Sequence, residues 1–157
     1  MDAISIRRFR DDDAEATARV FFDAVHLGAK GHYDEAQRRA WVPQPPAGAR
    51  WRGRLRTQST LVAERDGRVI GFMTLRPDGY IDLAFVAPEF IGRGVAKRLY
   101  DAIHEEAMTL GLRRLYSEAS HLARPFFERQ GWSVVRAQSV ERDGVSLTNF
   151  VMEKVLS

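Results

Sequence analysis

Apolar positions recur along this chain with two periods, and the switches between them divide it into elements. Ile4 and Ile6 alternate with polar neighbours, which predicts a first strand ending near Arg8. Asp11, Asp12 and Asp13 follow, acids suited to a helix N-cap and first turn. The spacing of Ala16, Val20, Phe21, Ala24 and Val25 predicts a helix to about His26, closed by Gly28 and Gly31. A shorter helix is predicted from Asp34 to Trp41, because Pro43, Pro45 and Pro46 forbid its continuation. Residues 49–57 form another candidate short helix.

The middle of the chain reads as β structure. Thr60 to Glu64 and Val69 to Leu75 flank Asp66-Gly67, a strong hairpin signal. Pro77-Asp78-Gly79 makes the next turn, and Tyr80 to Ala87 reads as a third strand, ended by Pro88. On that strand Ile81, Leu83 and Phe85 should share one face, and Tyr80, Asp82 and Ala84 the other. Gly92 to Leu110 carries a helical stripe of Val95, Leu99, Ala102, Ile103 and Ala107, with Gly111 as its cap. A strand at Arg114–Ala119, a short helix at Ala123–Arg129 and a hairpin of Trp132–Arg142 with Val145–Val155 complete the chain. The order β–α–α–β–β–β–α–β–α–β–β describes a mixed α/β fold on one sheet.

Composition narrows the class. A length of 157 residues predicts one domain over 1–157, and 45% hydrophobic with 29% charged residues is ordinary for a globular protein. No apolar run approaches the ~20 residues of a membrane span. The first ten residues lack the apolar region of a secretory signal. There is no cysteine, which removes disulfides, thiolate nucleophiles and cysteine-based zinc sites. The four histidines show no metal-ligand spacing, so no metal is expected. A cytoplasmic protein is the default. Net charge is +3, and lysine occurs only at Lys30, Lys97 and Lys154 among 24 cations, the rest being arginine. The densest run, Arg50 to Arg56, raises nucleic acid as a partner, but the arginines are interleaved with acids and read better as a solvated surface.

The stretch that carries chemistry is Phe85-Val-Ala-Pro-Glu-Phe-Ile-Gly-Arg-Gly-Val-Ala96, followed by the amphipathic helix. A glycine-bearing helix start presents free N–H groups to anionic oxygens, and Gly92 and Gly94 would let a phosphate approach the backbone. Arg93 could add a charge. A dinucleotide fingerprint would need glycine where Lys97 stands, and no Walker loop is present. Read alone, the glycines favour tight strand–helix packing.

Val86-x-Pro88, then Gly92-Arg-Gly94-Val-Ala96 and Leu99, resembles the acetyl-CoA signature of the GNAT N-acetyltransferase superfamily. That signature begins with Gln or Arg, where this chain has Ile91. Leu61 to Phe72 is similar to the family's second and third strands, and Ala123 to Trp132 to its penultimate helix and following strand. Tyr33, Gln37, Trp41 and Trp51 resemble a bacterial branch related to YafP. The resemblance implies a central, mostly antiparallel sheet with splayed middle strands and flanking helices. It implies acetyl-CoA as acyl donor, with Phe85, Val86 and Ala87 along the pantetheine arm. The pyrophosphate would rest on Gly92, Arg93, Gly94, Val95, Ala96 and Lys97, and Ser120, Phe126 and Phe127 would complete the donor site.

By the same resemblance an amine attacks the thioester directly, with a backbone N–H near Val86 supporting the oxyanion. Asp82, a carboxylate on a mid-sheet strand, is the candidate base or substrate anchor. Burial should raise its pKa; pairing with an arginine is the plainer reading. Where many family members carry a tyrosine acid, four residues before Gly131, this chain has Phe127. Tyr80, Tyr116 and Ser120 are the substitute donors, or the thiolate leaves unaided. His26, Tyr33, Trp41 and Asp82 are the candidate acceptor-binding residues, with His32, Trp51 and Arg54 nearby in sequence. The acceptor would be a small-molecule or peptide amine, and the C-terminal hairpin could pair in a homodimer. A non-catalytic CoA-binding sensor is the alternative, motivated by Phe127.

Overall fold

A computed structural model describes residues 3–156. Strands β1 (Ser5–Arg8), β2 (Ser59–Arg65), β3 (Arg68–Leu75) and β4 (Ala84–Val86) form an antiparallel sheet in that order. Strands β5 (Arg114–Ala119), β6 (Ser133–Arg142) and β7 (Val145–Val155) form a second, ordered β5-β7-β6. The α-helices are α1 (Ala14–Asp23), α2 (Glu35–Trp41), α3 (Gly48–Arg56), α4 (Val95–Thr109) and α5 (Arg124–Arg129). Asp66-Gly67 and Asp143-Gly144 take positive φ at both residues, the conformation that tight hairpins with right-handed strands require. No described helix is long and apolar enough to cross a membrane.

Side chains of β2 and β3 are buried on both faces, because helices cover both. Leu61, Ala63, Ile70 and Met73 join Leu99 and Ile103 of α4. Val62 and Phe72 join Phe21 of α1 and Trp51 and Leu55 of α3. The stripe Val95, Leu99, Ile103 and Ala107 buries one side of α4 at helical spacing. The long first helix expected to His26 is a composite. A 3-10 turn at Asp11–Asp13 precedes α1, and a π turn follows at Ala24–Gly28.

The single sheet expected from the element order is hydrogen-bonded as two. Among the described residues the backbone pairing between its halves is a single bridge at Tyr80 and Tyr116. There the Ile81 N–H donates to the Tyr116 carbonyl at 2.9 Å, and the Tyr116 N–H to the Gly79 carbonyl at 3.1 Å. Past that stitch β4 and β5 diverge.

The strand expected over 80–87 is likewise shorter, and the reason is local. The Thr74 N–H donates to the Leu83 carbonyl and the Arg76 N–H to the Tyr80 carbonyl. Between those bonds one chain advances two residues and the other three, so 80–83 holds one extra residue, a β-bulge. The Leu83 N–H is taken by the Thr74 hydroxyl at 3.0 Å. The bulge breaks the alternation. Ile81 packs into the α4 side, while Leu83 and Phe85 pack with α1 and α3, correcting the expectation that all three share a face.

Candidate active site

Divergence leaves β4 with an unpaired edge. The Ala87 N–H donates to the Ile70 carbonyl, and Phe85 stands opposite Phe72, so the odd-numbered residues face β3. By alternation Ala84 and Val86 aim their N–H and C=O groups into the gap. The backbone then turns through Gly92 and Gly94 at φ +81° and +84°. A Cβ at either would meet nothing within 4 Å. The glycines therefore do not serve strand–helix packing; they permit left-handed backbone beneath open space.

The helix expected from Gly92 begins at Val95, with Gly94 as its N-cap and no side chain capping it. The first helical hydrogen bond runs from the Arg98 N–H to the Gly94 carbonyl, which leaves the N–H groups of residues 94–97 without an intrahelical acceptor. Gly94, Ala96 and Lys97 of this turn line one end of a cleft of about 380 Å³. Of the expected donor-site residues, Phe85, Val86, Gly92, Gly94, Ala96, Lys97, Ser120, Phe126 and Phe127 line it. Ala87 and Val95 are buried side chains that offer only backbone. Arg93 turns its guanidinium over the Phe90 ring, 5.9 Å from its centroid.

A second cleft, of about 280 Å³, opens on the other side of the parted strands. The two share Ala84, Phe85, Ser120, Ala123 and Phe127 in their linings, so they adjoin at these residues. Asp82, Tyr80, Tyr33, Trp41 and Arg54 line the second cleft.

Asp82 is fully engaged. Its side chain is 7% exposed, and Arg54 grips it with two bonds, Nε to Oδ2 at 2.9 Å and Nη2 to Oδ1 at 3.0 Å. Gln58 adds a third at 2.9 Å, and Arg76 stands 3.6 Å away. Burial pulls the carboxyl pKa up, but these donors outweigh it and hold the group below the usual carboxylate range. The rise expected from burial is thus corrected: a bidentate arginine stabilises the anion more than desolvation penalises it.

Phe127 is 2% exposed, its ring 4.4 Å from that of Trp132, so no phenol stands there. Tyr80 faces the cleft with its pKa pushed up to about 12, by burial first and then by Glu118 and Asp82. Tyr116 points elsewhere, donating to Asp78 at 2.6 Å. Ser120 lines both clefts, and its Oγ accepts from the Ala123 N–H at 3.1 Å, leaving the hydroxyl proton free to donate.

Tyr33 is bound at both lone-pair and proton: its hydroxyl donates to the Thr148 carbonyl at 2.7 Å and accepts from the His121 N–H at 3.0 Å. It pins the loop before α2 against β7. Trp41 packs between Tyr33 and Phe85. His26 is not in the cleft wall; its ring stacks on Phe22 and Nε2 lies 2.6 Å from the Val42 carbonyl. His32 is exposed outside the wall, and Trp51 is core, its indole N–H on the Ala14 carbonyl. His121 is half-buried against Phe150. The basic run of α3 is partly paired within the chain, Arg54 with the buried Asp82 and Arg56 with the exposed Asp11.

Glu118, Arg142, Leu147 and Asn149 also line the second cleft, and sequence reasoning missed them. One signal was present. Asn149 lies between Leu147 and Val151, apolar neighbours at strand spacing, where an amide is unusual unless used.

The family model described as "Acetyltransferase (GNAT) domain" matches residues 29–154. The uncharacterized N-acetyltransferase YafP of Escherichia coli K12 is 35% identical over 97% of this chain and 96% of its own. A GCN5-related N-acetyltransferase from Rhodopseudomonas palustris is 32% identical, with a TM-score of 0.92 over 99% of this chain and 98% of its own. The PaiA N-acetyltransferase of Thermoplasma acidophilum, solved with coenzyme A, shares the fold at 19% identity, with a TM-score of 0.75 over 98% of this chain and 99% of its own.

Proposed function

Because the chain belongs to the GNAT acetyltransferase family, we propose that it moves an acetyl group from acetyl-CoA to a primary amine by direct attack. One observation carries the reading. Four unpartnered N–H groups at residues 94–97 lie beneath open space, in line with the free edge of β4. That arrangement suits a pyrophosphate followed by an extended amide-bearing arm. A cytoplasmic setting belongs to the same reading.

The roles follow from position. Backbone of Ala84 and Val86 would pair with the arm as an added strand does. The Val86 N–H would then donate to the thioester oxygen as charge develops on it. The acceptor enters through the second cleft. Its nitrogen forms the new C–N bond as the C–S bond breaks. The sulfur departs as thiolate, an acceptable leaving group with a free-thiol pKa of about 8.5. The nitrogen must shed one proton as the C–N bond forms, and Ser120, where the clefts adjoin, is the hydroxyl best placed to relay it, giving its own proton to the thiolate as it takes one from the amine. Asp82, held ionised by Arg54 and Gln58, organises the wall rather than acting as a base at neutral pH, since a low pKa makes a weak base.

The test is acetyl-CoA binding by calorimetry, with CoA, NAD and ATP as comparisons, followed by free-thiol release with an amine panel. Micromolar binding, lost in Gly94→Glu while the circular dichroism is unchanged, is the expected result. Absence of acetyl-CoA binding would overturn the reading. Binding without thiol release on any amine would favour the CoA sensor that Phe127 motivates.

A further inference from the structure

The wall of the second cleft that comes from the C-terminal hairpin changes character along its length. Cross-strand partners share a face, so the pairs Gln138–Asn149, Val140–Leu147 and Arg142–Val145 set the order of groups on one side of the hairpin. One step past the last β5–β7 pair, Ala119–Phe150, Asn149 comes opposite Ser120, where the clefts adjoin. The Asn149 amide makes no hydrogen bond among the described residues, and its Oδ1 is buried with no donor. A buried carbonyl oxygen without a donor costs about 1–3 kcal/mol unless a ligand supplies one. Beyond it lie Val140 and Leu147, both apolar. At the far end stands Arg142, with no carboxylate within 4 Å among the described residues. Of the two carboxylates in the cleft lining, Asp82 is held by Arg54 and Arg76, and Glu118 accepts from the Gln138 amide at 2.7 Å.

Resting on the acetyl-transfer reading above, we infer that the acceptor is a small primary amine carrying an anionic group at the other end of an apolar spacer. The amine N–H donates to Asn149 Oδ1 beside Ser120, the spacer lies along Val140 and Leu147, and the anion pairs with Arg142. From Asn149 to Val145, the partner of Arg142, is four strand residues, about 13 Å at 3.3 Å each. Arg142 reaches back over part of that distance. The acceptor is therefore longer than a free α-amino acid, whose amine and carboxylate share one carbon. A cleft of about 280 Å³ suits such a molecule.

The experiment measures free-thiol release from acetyl-CoA with ω-amino carboxylates of four to eight carbons, each set against its own carboxamide. The pairs match in length and differ in charge. The expected result is kcat/KM at least tenfold higher for the carboxylates, carried by KM, and rising with chain length. In Arg142→Gln the preference should collapse toward unity, with acetyl-CoA binding unchanged. Arg136→Gln, on the same strand and outside the cleft, should keep it. Asn149→Leu should lower turnover of both members of each pair alike. Equal turnover of acids and amides, or an unchanged preference in Arg142→Gln, overturns the inference and leaves acetyl transfer standing. Acetyl-CoA binding with no thiol release from any amine overturns both.

Discussion

Gly79 is the residue on which the shape of the active site depends. Its backbone is at φ +99°, and its carbonyl accepts the Tyr116 N–H in the stitch that joins the two half-sheets just below their divergence. A Cβ built there would lie 2.3 Å from the Arg114 carbonyl oxygen, a backbone atom that cannot move alone. Gly79→Ala should therefore cost left-handed strain of about 1–2 kcal/mol. It should also weaken two backbone hydrogen bonds, roughly 1 kcal/mol each. Gly67→Ala is the control. It sits at φ +76° with nothing within 4 Å of the added carbon, so it should cost the strain alone. For a domain of this size, 1 kcal/mol moves Tm by about 2–4 °C. The expected losses are then roughly 6–16 °C for Gly79→Ala and about 2–8 °C for Gly67→Ala. Differential scanning calorimetry reads both, and acetyl-CoA affinity should fall only in the Gly79 variant, because only there does the spacing of β4 and β5 change. Equal Tm losses, or an unchanged affinity in Gly79→Ala, would refute the argument that this close approach sets the cleft.

Two further outcomes are expected. Tyr33→Phe removes the hydroxyl shared by Thr148 and His121 and leaves their backbone groups unpaired, so thermal melts should fall by about 2–3 kcal/mol; a loss near zero would mean water replaces the bridge. Burial raises the Asp82 pKa and Arg54, Gln58 and Arg76 lower it further than that, so its stabilisation is full above the unfolded value of about 3.9 and is lost as pH falls through the lower folded value. Asp82→Asn should accordingly be less stable at neutral pH and show a shallower decline of Tm below about pH 4, with the contribution of Asp13 remaining; an acid limb parallel to that of the parent protein would contradict the assignment.

The elements were legible because their causes are local. Asp-Gly at 66–67 and 143–144 dictates tight turns wherever it stands between strands, and the Val95–Leu99–Ile103–Ala107 stripe can bury itself only as a helix. The glycines of the α4 start were legible as places where a ligand could approach the backbone, but their left-handed conformation at Gly92 and Gly94 came only with the structure. The bulge at 80–83 was not legible. It depends on how Thr74 and Arg76 of a neighbouring strand pair with it, and nothing in the order Tyr-Ile-Asp-Leu marks the extra residue. Asp82 showed the limit of reasoning from one strand. Its burial was foreseen, but the direction of its pKa was decided by Arg54, a residue 28 positions earlier on α3.

The sequence by itself determined where this chain bends, caps and alternates, and through the 85–96 segment the family to which it belongs. Those properties rest on steric limits and periodicities within a few residues of one another. The tertiary structure decided what faces the clefts: that His26 and Trp51 turn away, that Tyr33 is a structural pin, and that Asn149 and Arg142 share a wall. These depend on the register of β5, β6 and β7 and on the parting of β4 from β5. A one-residue change of register would invert every face, and that register is set by contacts far apart in the chain.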